Sequence, residues 1–429
     1  MNVLILIDQD TYDLISDGRP VIPKYSHDKN LLQFAHEAIR KGYSVYFSPV
    51  QQRRDLAPNK CLSKIYPEIE INFIDSRDVT FDIVVSVFPE SLNIRSYYPD
   101  AVIVAIHAAV QWVETPENLG GQYLHDLITA LRYNVDFIIT QNERMRDLLA
   151  ASYALIAKWP YLDRILVCPL GIVEAERREV LDRRETRRQM RVADDQVAII
   201  NSGGVWRWTD FSAFLQAFCI YVRQRPKTKL VLFIMGLCQP GNMDHDEYLK
   251  GVEETLYQNR DLVGDKIRII NDWRAASGVV KSYTAAADVG LNLNKESLEN
   301  WQSYRLRFLD YMYYGVPVIN TLGDAVSISH SEALYPCQAG NVQSYVRALR
   351  SVEENRSLRI AKSGAMKKIA AEFDSERTYG AALEKIVQMG RRPTGDFATW
   401  KETVLDYTIG SSKAEFSNAL KEKILSFIR

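Results

Sequence analysis

Short apolar runs of three to six residues alternate with longer stretches whose apolar positions recur every three or four residues. The runs at 3–7, 44–47, 83–87, 102–106, 137–140 and 165–167 read as strands, and the stretches 28–41, 122–132 and 143–150 read as helices. Over 28–41, Leu31, Leu32, Ala35, Ala38 and Ile39 share one helical face, and Gly42 stands just past the end. The same rhythm then begins again. Strands are predicted at 197–200, 230–234, 267–270 and 289–293, with 316–319 as the last, and helices at 210–223, 247–259, 277–287 and 304–314, the last closed by Gly315. The runs do not alternate apolar with polar, as suits strands covered on both faces of a parallel sheet. Two successive β-α series therefore predict an α/β chain of two Rossmann-like, doubly wound domains. Helical patterns follow at 342–352, 358–373, 377–389 and, past Pro393 and Gly395, at 413–428. The expected boundaries are 1–185, 186–395 and a helical tail over 396–429 that packs back on the first domain.

Composition narrows the classes. At 429 residues the chain is long enough for two or three domains. Its 53 Lys and Arg against 54 Asp and Glu leave a net charge of −1, without the basic excess of a dedicated nucleic-acid binder. The five cysteines, Cys61, Cys168, Cys219, Cys238 and Cys337, form no CxxC pair and suit a reducing compartment. The apolar start, 3–7, lacks the basic flank and cleavage site of a signal peptide. The near-apolar run 101–113 is too short to span a bilayer. A cytoplasmic protein is expected, with peripheral contact at the inner face of the membrane left open. The segment 176–191 carries Arg177, Arg178, Arg183, Arg184, Arg187, Arg188 and Arg191 among interleaved acids. It reads as a solvated linker helix, or alternatively as a contact for phosphates or a membrane surface.

Ligands of doubly wound sheets sit at the carboxyl ends of the strands, where glycine turns and helix N-termini present backbone N–H groups. Three places in the second half qualify. The first is 201–210: Gly203 and Gly204 permit close backbone approach, Arg207 can fork onto a phosphate, Trp206 and Trp208 flank it, and Thr209 or Asp210 can cap the next helix. The second is 271–274, where Trp273 can stack on a base or ring or pack in the core. The third is 294–314, where Ser303 can cap a helix whose first turn holds Arg305 and Arg307. Two cations at the positive end of a helix break a local electrostatic preference, which points to an anion.

The phrase 305–319, RLRFLDYMYYGVPVI, the strand entry at 287–291 and the glycine turn with the helix containing Ala217 and Phe218 resemble the nucleotide-sugar domain of GT-B fold glycosyltransferases, and look nearest to the retaining family 4. Weaker, collinear likenesses lie at 104–107, 139–149 and 167–171. The resemblance implies two domains facing across a cleft and transfer of a sugar from a nucleoside diphosphate sugar to an acceptor hydroxyl. It places Asp310 at the nucleotide ribose, Gln302 at the donor sugar, His107 facing that sugar, and Gly203 and Gly204 under the diphosphate. Where the family usually has a glycine-loop Arg and Lys, this chain has Gly204 and Thr209. Arg207, Arg305 and Arg307 are the candidates to supply that charge. Glu299 or Glu296 is the candidate for the acid that Gln302 lacks.

The expected catalytic set is thus His107, Glu299 and Arg305. The expected donor set is Gly203, Gly204, Arg207, Trp208, Trp273, Gln302, Ser303, Arg307 and Asp310. Transfer is expected to retain configuration, with no cofactor and no metal; the pairs Asp8–Asp10 and Asp244–Asp246 are read as acceptor-side and solvated residues. The acceptor, a glycan, a lipid-linked glycan or a small molecule, falls to the first domain, through the loop 8–28 with Tyr12, Arg19, Lys24, Tyr25 and His27, and through Trp112, Glu114 and Gly120–Gly121. The rival readings are a catalytically degenerate sugar-nucleotide-binding protein and another enzyme of this fold, such as an epimerase or a pseudo-glycosyltransferase. A dinucleotide dehydrogenase is disfavoured, because no GxGxxG follows a strand.

Overall fold

The structure, a computed structural model, describes residues 1–7, 26–49, 79–87, 94–107, 135–157, 162–172, 182–237, 246–270, 276–303 and 305–391. The chain divides into two compact units, Met1–Ala175 joined by the residues from Ser375 on, and Glu176–Asp374.

The first unit runs β1 (Asn2–Ile7), α1 (Ser26–Arg40), β2 (Ser44–Pro49), β3 (Ile83–Val87), α2 (Ile94–Tyr97), β4 (Val102–His107), β5 (Phe137–Thr140), α3 (Glu143–Ala157) and β6 (Ile165–Val167). All six strands are parallel, in the order β2-β1-β3-β4-β5-β6. The second unit runs α4 (Arg183–Gln189), β7 (Val197–Gly204), α5 (Phe211–Gln224), β8 (Leu230–Gly236), α6 (Asp246–Gln258), β9 (Ile267–Ile269), α7 (Ala276–Ala286), β10 (Val289–Asn292), α8 (Leu298–Gln302), α9 (Leu306–Tyr314), β11 (Val318–Thr321), α10 (Ala325–Ser329), β12 (Leu334–Cys337), α11 (Val342–Glu354) and α12 (Arg356–Ala370). Its six parallel strands lie in the order β12-β11-β10-β7-β8-β9. The chain then returns to the first unit as α13 (Ala381–Met389).

That return corrects the boundary expected at 395. Leu383 and Ile386 of α13 join Leu31, Phe34, Ala35 and Ala38 of α1 over one face of the first sheet, against Val3, Ile5, Val85, Val104 and Phe137. Exit and return points are locked together on α1. Gln33 donates from Nε2 to the Gly171 carbonyl (2.6 Å) and accepts at Oε1 from the Gly171 N–H (2.7 Å). A Cβ on Gly171 would stand 2.6 Å from the Cα of Ser375, so only glycine fits this crossing. Ser375 Oγ donates to Glu37 (2.6 Å), which also accepts from Arg40 Nε (2.9 Å), and Tyr379 donates to Asn30.

The described part of the arginine-rich segment, 182–191, contains the helix α4 within the second unit, capped by Asp182; Arg183, Arg184, Arg188 and Arg191 are exposed, but Arg187 is buried, which corrects its reading as a solvated residue. Arg183 and Arg187 clasp Asp288 (2.8 and 3.0 Å) just before β10, and Arg187 also donates to the carbonyls of Ala193 and Gln196. Asp288 accepts the Ala198 N–H of β7 as well (2.8 Å), so the clasp holds the entries of both central strands.

Three further expectations change. The helix predicted over 304–314 is α9, which starts at Leu306 because Arg305 takes an extended conformation (φ −79°, ψ 127°); a separate short helix, α8, precedes it. The strand at 318–321 is not the last, since β12 extends the sheet edge. The helix predicted at 122–132, the tail helix at 413–428 and the loop 8–25 lie outside the described residues. Cys168, Cys219 and Cys337 are buried and free, and burial pushes the thiols of Cys168 and Cys219 up to about 12 and about 11. Cys61 and Cys238 lie outside the described residues.

Burial opposes ionisation of Glu37, but the bonds from His36, Ser375 and Arg40 outweigh it and hold the carboxyl at about 2 against an ordinary 4.5. A depressed carboxyl stabilises the fold fully above its unfolded value and loses that contribution as pH falls toward the folded one. At about 1.4 kcal/mol per unit this amounts to about 3 kcal/mol. Glu37→Gln is predicted to lower the urea midpoint at pH 7, with the gap to wild type closing between pH 4.5 and 2. A gap that stays constant over that range rules out an ionised Glu37 as the lock.

Candidate functional site

The second sheet reverses its winding between β7 and β10. Numbered from β7, the order is 6-5-4-1-2-3, and such a switch point opens a crevice at the strand carboxyl ends. The segment from Asn201 to Gly204 closes β7 on one side of the switch, and Asn292 ends β10 on the other.

Tyr311 of α9 bridges the two. Its hydroxyl lies 3.2 Å from the carbonyls of both Ile200 and Leu291, and accepts from Ser202 Oγ (2.9 Å) and the Leu291 N–H (3.3 Å). A Cβ on Gly290 would lie 2.6 Å from the Tyr311 ring, so the glycine before Leu291 makes room for it. Arg307 stands one helical turn earlier on the same face. It donates to Asn201 Oδ1 (2.7 Å) and to the Gly204 carbonyl (3.1 Å). Its guanidinium lies 2.8 Å from where a Cβ would stand on Gly203. β7 also shifts register against β8 between Asn201 and Gly204, which bends the strand end at this point.

Arg307 makes no ion pair among the described residues, only these bonds to neutral acceptors. Burial, and then the charge of Arg305, hold its guanidinium below the usual range. A half-buried cation between neutral oxygens at a helix start favours an anion there. Arg305, the residue that begins α9, donates from Nε to Asn294 Oδ1 (3.1 Å).

The other expected residues are placed as follows. Gly203, Gly204, Arg307 and Asn201 come together, and Arg305 joins Asn294. Arg207 is exposed, without a partner among the described residues, beside Trp206 and Trp208, whose rings stack at 5.1 Å and 4°. Asp310 is half-buried on α9 and makes no side-chain hydrogen bond or ion pair among the described residues. Gln302 is buried at the end of α8. Glu299 lies in α8, but its side chain is outside the described residues, as are Trp273, Asp8–Asp10 and the first two residues of the 244–246 cluster. His107 ends β4 in the first unit, and burial pushes its imidazole down to about 4, so it is neutral at pH 7.

The caps differ from expectation. Asp210 makes no cap bond to α5; its carboxylate accepts instead from the Gly340 N–H (2.6 Å) and from Tyr345. Thr209 is buried and folded back, its hydroxyl donating to the Trp206 carbonyl (2.6 Å). Ser303 does not cap α9; its hydroxyl turns back toward the Asn300 carbonyl (3.4 Å). Sequence reading missed the parts of Asn201, Asn294 and Tyr311. The spacing of Arg307 and Tyr311, four apart on one amphipathic helix, was the available signal for the last.

Among the described residues no group of three or more His, Cys, Asp or Glu is arranged to hold a metal, and no helix is long and apolar enough to cross a membrane.

No family model and no curated protein matches the sequence. Solved structures do match in shape. HepE of Anabaena, solved in complex with UDP-glucose, is 12% identical, with a TM-score of 0.62 over 90% of this chain and 100% of that one. An E. coli structure described as trehalose-6-phosphate bound with UDP-2-fluoro glucose is 10% identical, with a TM-score of 0.67 over 91% and 100%. WaaG, a glycosyltransferase involved in lipopolysaccharide biosynthesis, is 15% identical, with a TM-score of 0.57 over 90% and 99%. The chain has the GT-B fold, two doubly wound parallel-sheet domains with a helical C-terminal region.

Gly203→Ala is predicted to push Arg307 off the glycine turn and to weaken binding of inorganic pyrophosphate, used as an anion probe, about tenfold or more, with little change in thermal midpoint. Calorimetry showing unchanged pyrophosphate affinity would remove the glycine from the anion site.

Proposed function

We propose that the protein is a glycosyltransferase that moves a sugar from a nucleoside diphosphate sugar to an acceptor hydroxyl. The observation that carries this reading is Arg307, held over Gly203 at the switch point with neutral partners only. The GT-B neighbours solved with UDP-glucose and UDP-2-fluoro glucose support a uridine nucleotide as the donor carrier.

In this reading the diphosphate lies along Gly203 and Gly204, between Arg307 and Arg305. The chemistry needs stabilisation of a leaving group that gains negative charge, and fixed cations with backbone N–H groups supply it. That assignment makes transfer independent of added metal. Retention, as in family 4, follows if the acceptor attacks the face that the diphosphate leaves, with a diphosphate oxygen taking the acceptor proton. Asp310 takes the ribose hydroxyls, Trp273 or Trp208 the base, and Gln302, Ser303 and Glu299 the sugar. His107, neutral and buried, is suited to hydrogen bonding with a sugar hydroxyl rather than to acid catalysis. The first unit takes the acceptor, a glycan or lipid-linked glycan in our reading, from the cytoplasmic face.

One observation favours a second reading, sugar-nucleotide binding without turnover. Thr209 stands where family 4 has a phosphate-binding lysine, and it is buried and bonded to its own turn.

The test is incubation of the purified protein with a panel of UDP-sugars, with and without chelator, while free UDP is measured. Release that survives chelation is the expected outcome, and Arg307→Ala is predicted to weaken UDP by about 10- to 100-fold. Tight binding without release from any donor establishes the second reading. Absence of UDP binding overturns both.

A further inference from the structure

Two buried amides at the turn that leaves β11 hold polar atoms with no hydrogen-bond partner. Asn294, two residues beyond β10, is 2% exposed. Its N–H donates to Thr321 Oγ1 (2.9 Å) and its Oδ1 accepts from Arg305 Nε (3.1 Å), but its Nδ2 meets no acceptor. Asn300 of α8 is 3% exposed, and its Oδ1 meets no donor. Its amide nitrogen lies 3.7 Å from where a Cβ would stand on Gly323. Thr321 and Gly323 are two residues apart, so both amides border the turn that leaves β11.

The polar side chains at the ends of β10 and β11 are matched. Asn292 Nδ2 donates to Asn320 Oδ1 (2.5 Å) and Asp324 Oδ2 (2.8 Å), Asn320 Nδ2 donates to the Thr321 carbonyl (2.7 Å), and Asp324 Oδ1 accepts the Ser327 N–H (2.7 Å). Against that background one unmet donor and one unmet acceptor stand at the same turn. Donation from Arg305 fixes which end of the Asn294 amide is oxygen, so its NH2 group is the open end. A hydroxyl answers both needs, because it accepts one hydrogen bond and donates another.

We propose that Asn294 and Asn300 read a hydroxyl of the transferred sugar, Asn294 Nδ2 donating to the hydroxyl oxygen and the hydroxyl donating to Asn300 Oδ1. The inference rests on the donor site proposed above and names what selects the sugar there. It also assigns Asn294 a second part, since the same amide orients Arg305. Both polar atoms are shielded from water, so sugar entry requires α8 and the turn after β11 to separate.

The test uses the full chain and calorimetry with UDP, UDP-glucose and the monodeoxy analogues of UDP-glucose at each ring hydroxyl. Wild type is expected to bind one analogue about tenfold more weakly than UDP-glucose. In Asn300→Ala, which leaves the Arg305–Asn294 bond in place, that penalty should vanish while UDP affinity stays within about twofold. Asn294→Ala should erase the same penalty and also weaken UDP. If every deoxy penalty is the same in the variants as in wild type, the two amides serve an internal water only and the proposal is overturned. UDP that binds while UDP-glucose shows no deoxy penalty in wild type also overturns it. Failure of UDP itself to bind is the separate result that removes the donor site.

Discussion

The hydroxyl of Tyr311 is the contact on which the second unit's site depends. Two parallel strands that part at a switch point have no reason to keep their ends in register, since the hydrogen-bond ladder between β7 and β10 covers only Val289 with Ile199 and Gly290 with Ile200. Beyond that point the side chain of Tyr311 replaces the ladder. It bonds to Ile200 and Ser202 on one strand and to both backbone groups of Leu291 on the other. Gly290 gives the ring its space. Every later feature of the site is measured from this fixed point. Arg307 is aimed at Asn201 and the glycine turn because it lies one turn before Tyr311 on the same helix.

The cost of that arrangement is visible in the local electrostatics. Cations in the first turn of a helix oppose its macrodipole, each by about 0.3–1 kcal/mol when exposed. Arg307 is in addition partly desolvated, and the nearby charge of Arg305 adds to the depression of its proton affinity. A fold that needed only stability would place an apolar residue over Gly203. The bonds from Arg307 to an amide oxygen and a carbonyl hold the guanidinium in place without neutralising it, and a bound anion would complete it.

How much of this was legible follows the physics of each element. Buried parallel strands show as apolar runs, so β3, β5 and β6 stood in the sequence at their observed bounds. Gly42 and Gly315, both at positive φ, marked helix ends because only glycine takes that conformation freely. β12 was missed because its four residues include Pro336, an edge-strand residue that reads as a break. Arg187 was misread because a clasp on Asp288, about a hundred positions away, leaves no local trace. Asp210 and Ser303 looked like caps for the same reason in reverse: a local rule named a partner, and a distant Tyr345 or a preceding turn took the side chain instead. Asn294 belongs to this class too, since an asparagine after a strand carries no mark of the arginine it will hold.

In the reading proposed above, the residues at positions 204 and 209 then have a structural meaning. A cation on a glycine loop must be ordered by the loop itself, and loops open at low free energy. Here Gly204 offers only its carbonyl, Thr209 is turned into its own backbone, and the charge comes from a helix anchored to two strands. A cation held in this way loses less freedom when an anion arrives, and fixed charge of this kind contributes most where the charge develops during reaction. In that reading, a charge carried on the helix leaves the glycine turn to approach the ligand with backbone alone. The same helix start carries Arg305, whose direction is set by Asn294 and so by the end of β10. The two strands that part at the switch point therefore each hold one of the two arginines, and what fixes the distance between those strands also fixes the distance between the charges.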